Sequence, residues 1–112
     1  MRRHLHLSRA ALMALLASGV LAAGAFAASI VTVSQRDRAF TSRSVQVARG
    51  DTVRFANDDE FTHQIYVNSP STNFESNEQN PGDTVNVRFP ASGTFEVHCH
   101  IHPKMLLTVF VR

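Results

Sequence analysis

Cysteine is almost absent from this chain. One thiol among 112 residues rules out an internal disulfide, so no covalent cross-link stabilises the fold. A charge excess is missing as well: 11 Lys and Arg face 9 Asp and Glu, a balance that gives no reason to expect a nucleic-acid partner. Long hydrophobic runs are lacking too. The longest, Ala10 to Ala23, falls below the roughly 20 residues that a spanning helix needs. There are no internal repeats and no sign of a second globular domain.

Arg2, Arg3 and Arg9 accompany that apolar run at its start, and Ala25-Phe26-Ala27 follows it, the order of a cleavable secretory signal peptide. The expected division is residues 1–27 as signal peptide and residues 28–112 as the domain. The paired arginines lack the fuller motif of the folded-protein export route, which leaves the general secretory route to the periplasm. Three basic residues leave with the signal, so 8 basic side chains face 9 acidic ones in the remainder, and the pI of 9.3 belongs to the precursor. No stable membrane association is expected after cleavage. A domain this small has a modest core and gains from a bound metal, and a lone thiol in an exported protein calls for such a role.

The thiol lies in the stretch Gly93-Thr-Phe-Glu-Val-His-Cys-His-Ile-His-Pro-Lys-Met-Leu-Leu107. Cys99, His102 and Met105 are each separated by two residues. A strand ending at Cys99 and a tight loop after it could therefore aim a thiolate, an imidazole and a thioether at one point. Soft donors of this kind select copper, and two imidazoles, a thiolate and a weak axial thioether make the trigonal site of electron-transfer copper. The second imidazole must come from elsewhere in the chain. Methionine is a poor zinc ligand, which disfavours structural zinc, and a dinuclear copper centre would need a second cysteine. With period two, Phe95, Val97 and Cys99 face inward while Glu96, His98 and His100 face outward. The two outward histidines read as surface residues, with an exposed secondary metal site or a pH-sensitive partner contact as alternatives. Pro103 prevents the strand from continuing.

The remaining segments read as β. Ile30–Val33, Ser44–Val47, Thr52–Ala56, Phe61–Val67, Thr84–Phe89, the strand that follows the turn Pro90–Gly93 and ends at Cys99, and Leu106–Val111 are alternating or β-branched and are separated by turn formers. Such a series predicts an all-β fold, a Greek-key β-sandwich. Gln35–Ser42 reads as a solvated connection with Phe40 tucked against the core, and Asn57-Asp-Asp-Glu60 as a solvated acidic turn. Asn68–Gly82 reads as a functional or mobile loop anchored by Phe74. His63 shares an inward face with Phe61, Ile65 and Val67, where a histidine is ordinarily a core residue bonded to a backbone carbonyl.

Gly50-Asp-Thr-Val-Arg-Phe-Ala-Asn57, then Phe61-Thr-His63, then the C-x-x-H-x-x-M pattern at Cys99, His102 and Met105 resemble the paired motifs of the small blue copper proteins, the cupredoxins. The similarity is to the amicyanin, pseudoazurin and plastocyanin group. It implies that His63 supplies the missing imidazole. His63, Cys99, His102 and Met105 would then hold one mononuclear type 1 copper, with Met105 as the weak axial ligand. It also implies a periplasmic carrier of single electrons, copper cycling between Cu(I) and Cu(II), rather than an enzyme. Such a carrier would be a monomer docking weakly to redox protein partners near His102. Gln64 departs from the family, which often places a small polar residue there to steady the loop and the sulfur. The short ligand loop implies that in the reduced protein His102 protonates and leaves the metal in mild acid. Copper delivery or storage in the periplasm is the alternative function, kept open by the extra histidines. His98-Cys99-His100 also echoes a multicopper oxidase signature, which would require more histidine pairs and further domains.

Overall fold

Residues 27–112 are described by the computed structural model; the signal-peptide reading falls almost wholly on residues outside that range. Nine strands follow in chain order: β1 (Ile30–Arg36), β2 (Ala39–Phe40), β3 (Ser44–Val47), β4 (Thr52–Asn57), β5 (Ile65–Asn68), β6 (Asn73–Glu75), β7 (Thr84–Arg88), β8 (Gly93–Cys99) and β9 (Leu106–Val111). They form a four-stranded sheet in the order β2-β1-β4-β7 and a five-stranded sheet in the order β3-β9-β8-β5-β6. The chain crosses repeatedly from one sheet to the other. Pairing is antiparallel except for β1 with β4 and β3 with β9.

The period-two pattern explains why two sheets form. Val53 and Phe55 of β4 face Ile65, Val67, Val97, Leu107 and Val109 of the other sheet, and all are essentially without solvent exposure. Each alternate residue points to water or to the sheet's outer face. Phe40 packs edge-on to Phe55 with ring centres 5.8 Å apart, and Phe89 meets Phe95 at 5.4 Å. All four rings belong to the core enclosed by the two sheets, where their large apolar area adds to that of the valines.

Three segments differ from the sequence pattern, and all three lie near the candidate site. Gln35–Ser42 is not simply a solvated connection. β1 runs on to Arg36, turns through Asp37 and Arg38 and returns as β2, burying Phe40 as expected. Both turn residues are left-handed, with φ of 52° and 57°, the geometry that matches the twist of a two-residue hairpin. Neither is glycine, so the turn carries a steric cost of roughly 1–2 kcal/mol per residue.

Phe61–Val67 does not form one strand, because β5 begins only at Ile65. His63 is instead held by a single bridge to Gln79. The His63 N–H donates to the Gln79 carbonyl at 3.0 Å, and the Gln79 N–H donates back at 2.6 Å. The partner comes from Asn68–Gly82, which is a strap closed over His63, with β6 inside it and Thr72, Ser76 and Gln79 buried.

Buried amides support this irregular backbone, whose polar groups no ladder satisfies. The Gln79 amide donates to the Phe55 carbonyl at 3.2 Å and accepts from Gln35 at 3.1 Å. The Asn57 amide donates to the Phe61 and Gln79 carbonyls, each at 2.9 Å. Replacing Gln79 with leucine leaves the Gln35 amide buried without an acceptor. Urea unfolding of the metal-free Gln79→Leu protein is expected to show a loss of about 2–3 kcal/mol, the cost of orphaned buried polar groups. An unchanged midpoint would show that the network does not hold the strap.

Candidate metal centre

Cys99 ends β8 opposite Ile65 of β5 and is buried. The two strands therefore bring the thiol within two residues of His63, which follows from ladder register alone. His63 turns its Nδ1 toward the sulfur at 3.8 Å and toward Nδ1 of His102 at 3.1 Å. The donor atoms of His63, Cys99 and His102 all lie within 4.8 Å of one another. Metal–nitrogen bonds of about 2.0 Å and metal–sulfur bonds of about 2.3 Å span such separations around one ion.

The loop after Cys99 is closed by its own backbone. The Met105 N–H donates to the His102 carbonyl at 3.0 Å, which makes a tight turn around Pro103 and Lys104. Met105 is buried at 2% exposure just before β9, where its thioether adds a soft donor to this end of the core. The His100 N–H donates to the Gln64 carbonyl at 2.8 Å, so the cysteine loop is tied directly to the His63 segment. The Gln64 side chain donates to the Ser76 carbonyl at 3.0 Å. Residue 64 thus steadies the loop through its backbone and the strap through its amide.

Asp59 is the functional residue that the sequence pattern missed. Asn57–Glu60 is only half solvated: Asp58 and Glu60 are exposed, but Asn57 and Asp59 are buried. Asp59 Oδ2 lies 3.0 Å from Nε2 of His63. It also accepts from the Arg38 N–H at 2.8 Å, and its Oδ1 accepts from the Glu60 N–H at 2.9 Å. Burial by itself would raise the Asp59 pKa, but the Arg38 amide, His63 and the Glu60 amide together hold it below the ordinary carboxylate value. An ionised Asp59 accepts a hydrogen bond from Nε2–H of His63, which leaves Nδ1 with the free lone pair for a metal. Only the spacing Asp59-x-x-x-His63 marked this pair, and outside a helix that spacing does not predict contact.

His102 is the exposed side of the cluster. Its ring meets the edge of Phe61 at 6.2 Å and of His63 at 4.9 Å. Burial, then the neighbouring His63, then Arg38 hold its pKa below the ordinary histidine value, with Asp59 acting in the opposite sense. The expected release of protonated His102 is thereby pushed to lower pH.

His98 and His100 stay outside the cluster. Nε2 of His98 pairs with Glu96 at 3.2 Å, and Nε2 of His100 pairs with Glu75 at 3.1 Å. Both rings stack on Tyr66, with centres 5.3 Å and 4.0 Å away.

A pH response follows from these groups. A histidine or carboxyl whose folded pKa is depressed contributes stability that is complete above its unfolded pKa and is lost as pH falls through the folded one. For His102 the loss begins below about 6.5, and for Asp51 and Asp59 below about 4. Asp51 belongs with them because the Ser29 and Ala48 amides hold its carboxylate. The urea midpoint of the metal-free protein should fall in two stages on acidification; a midpoint that rises between pH 7 and 5 would contradict the assignment for His102.

Comparison with known proteins agrees with the geometry. Residues 27–112 match the family described as copper binding proteins, plastocyanin/azurin family. The chain is 30% identical over 104 residues to the chloroplastic plastocyanin of Pisum sativum, aligning 82% of itself with 62% of that protein. Its fold is similar to a purple cupredoxin from Nitrosopumilus maritimus, with a TM-score of 0.66 at 21% identity over 73% of this chain and 99% of that one. It is also similar to an amicyanin variant in the Cu(I) form, with a TM-score of 0.69 at 20% identity over 74% and 82% of the two chains. A copper-containing nitrite reductase from Thermus scotoductus matches 73% of this chain with 22% of its own, at 25% identity and a TM-score of 0.67. The sequence motifs, the two-sheet sandwich and the convergent soft donors meet in one conclusion: this chain is a cupredoxin of the copper-binding plastocyanin/azurin family, and its cofactor is copper.

Proposed function

We propose that the protein is a periplasmic one-electron carrier, not an enzyme. In this reading His63, Cys99 and His102 would hold a single copper ion, with the Met105 thioether as a further, weaker donor. The observation that carries the reading is the convergence of three donors from two segments 36 residues apart in sequence. When bound, copper supplies a couple between Cu(I) and Cu(II), and two imidazoles with a thiolate and a long thioether suit that couple.

The protein residues have separate tasks. Cys99 and His63 are enclosed by the two sheets and the strap, so their positions vary little between oxidation states. Asp59 holds the His63 ring from behind. Met105, fixed by the start of β9, would offer copper a soft thioether, a donor type that tunes the potential. His102 lies at the surface end, where Ile101 and Pro103 lie beside it and a redox partner can approach. Such encounters bury little area and are brief. The secretory leader expected at residues 1–27 delivers the chain to the periplasm as a monomer.

Burial of Cys99 and His63 favours retention of the metal over its release as cargo. His98 and His100, engaged with carboxylates and Tyr66, contribute no ligand to a further centre. Copper-loaded protein should contain one ion per chain, show an intense visible thiolate-to-copper band and undergo reversible one-electron reduction. The Cys99→Ser variant should lose that band entirely. Colourless protein that passes Cu(I) to a chelator would instead establish delivery. Asp59→Ala is expected to weaken copper retention by roughly 10–100-fold in competition with a chelator, the usual effect of removing a partner behind a ligand.

A further inference from the structure

Beside His102 lies an open depression of about 430 Å³, lined by Asp37, Arg38, Ile101, His102, Pro103 and Lys104. One wall is the strained left-handed turn of the β1–β2 hairpin, and the other is the loop that carries His102. The charged groups in it are two cations and one carboxylate. Neither Arg38 nor Lys104 forms an ion pair among the described residues, where the salt bridges all involve histidine.

Arg38 is nevertheless ordered. Its guanidinium carbon sits 3.9 Å from the centre of the Phe61 ring, and its backbone N–H is held by Asp59. A guanidinium laid on an aromatic face keeps its planar fork of donors available for carboxylate. Part of the entropy cost of ordering that side chain is met before any partner arrives. Phe61 in turn meets His102 edge-on, so the free fork stands beside the histidine through which an electron would pass.

We infer that this depression receives a carboxylate from an acidic docking face on a redox protein partner, held by Arg38 with Lys104 opposite. The inference rests on the electron-carrier reading and specifies its partner. Ile101, at 41% exposure, and Pro103 supply the apolar contact, while the two cations select against a basic partner by like-charge repulsion. Asp37 lines the same depression and limits the attraction, which suits a contact that must dissociate quickly.

The test reads docking without electron transfer. Reduced, diamagnetic, copper-loaded protein labelled with nitrogen-15 is titrated at low ionic strength with an oligo-aspartate peptide and, separately, with an oligo-lysine peptide. The expected result is saturable shifts at Arg38, Ile101, His102 and Lys104 with oligo-aspartate, none with oligo-lysine, and loss of the shifts at high salt. Arg38→Gln and Lys104→Gln should each weaken the interaction roughly two- to fivefold, the range for exposed pairs, and Arg38→Lys should recover part of it. Lys104→Gln keeps the test valid if the Arg38 change disturbs the turn. Shifts elsewhere, binding of oligo-lysine instead, or indifference to both variants would overturn the inference. A missing visible band would count against the carrier reading and leave this result standing by itself.

Discussion

The buried bond between Asp59 and His63 is the constraint on which the site depends. A histidine that enters a hydrophobic interior can turn either nitrogen toward a ligand, and an undirected ring would populate several rotamers. The carboxylate removes that freedom. With Nε2 committed to Asp59 at 3.0 Å, only Nδ1 remains to face Cys99 and His102. The carboxylate is itself fixed by the amides of Arg38 and Glu60, so the β1–β2 turn and its own loop converge on one side chain. Uncompensated, burial of that charge would be costly; three donors make it tolerable.

The same constraint explains why the regular sheet stops short of the site. A ladder continued from Ile65 back through Phe61 would satisfy the backbone but leave no room for the Asp59 carboxylate behind the imidazole. The chain instead leaves the ladder at residue 64, and Asn57, Gln35 and Gln79 take over the hydrogen bonds that the missing pairs would have made. One acceptor, Oε1 of Gln35, is left without a partner. Polar interiors of this kind are less forgiving than apolar ones, since each group lacks a substitute for water. The strain at Asp37 and Arg38 belongs to the same economy of geometry, because that turn delivers the amide which holds Asp59.

Period-two patterning made most of the frame legible. Ser44–Val47 begins and ends where alternation said it would, and Leu106–Val111 matches its apolar β-rich run. The strand before the loop ends at Cys99 as expected but starts at Gly93, inside the expected turn. Cys99 and His102, paired by their spacing, do lie together. His63 could be assigned only through its resemblance to a known motif, since alternation alone makes it a core histidine. Asp59 was illegible, because its burial is decided by the hairpin at Asp37–Arg38 and by the strap, neither of which shows in local composition. Runs such as Asn68–Gly82 look like free loop because turn formers dominate them. Burial of Thr72, Ser76 and Gln79 is settled by tertiary bonds that propensity does not encode.

The two imidazoles are chemically alike yet placed in opposed surroundings, and the difference assigns them different work. His63 has no exposure and a carboxylate behind it. Its Nε2 is bonded to Asp59 and its ring is enclosed by the core, so this imidazole is held in one orientation and shut off from solvent. His102 has aromatic neighbours but no carboxylate among its bonds. Nothing fixes its outer edge except the loop around it. A ring held in this way is the part of the site that solvent reaches. Firm anchorage on one side and a solvent-facing contact on the other follow from a single asymmetry: Asp59 stands behind one histidine, while the other has Phe61, the Arg38 guanidinium and His63 itself for neighbours and no carboxylate bonded to it.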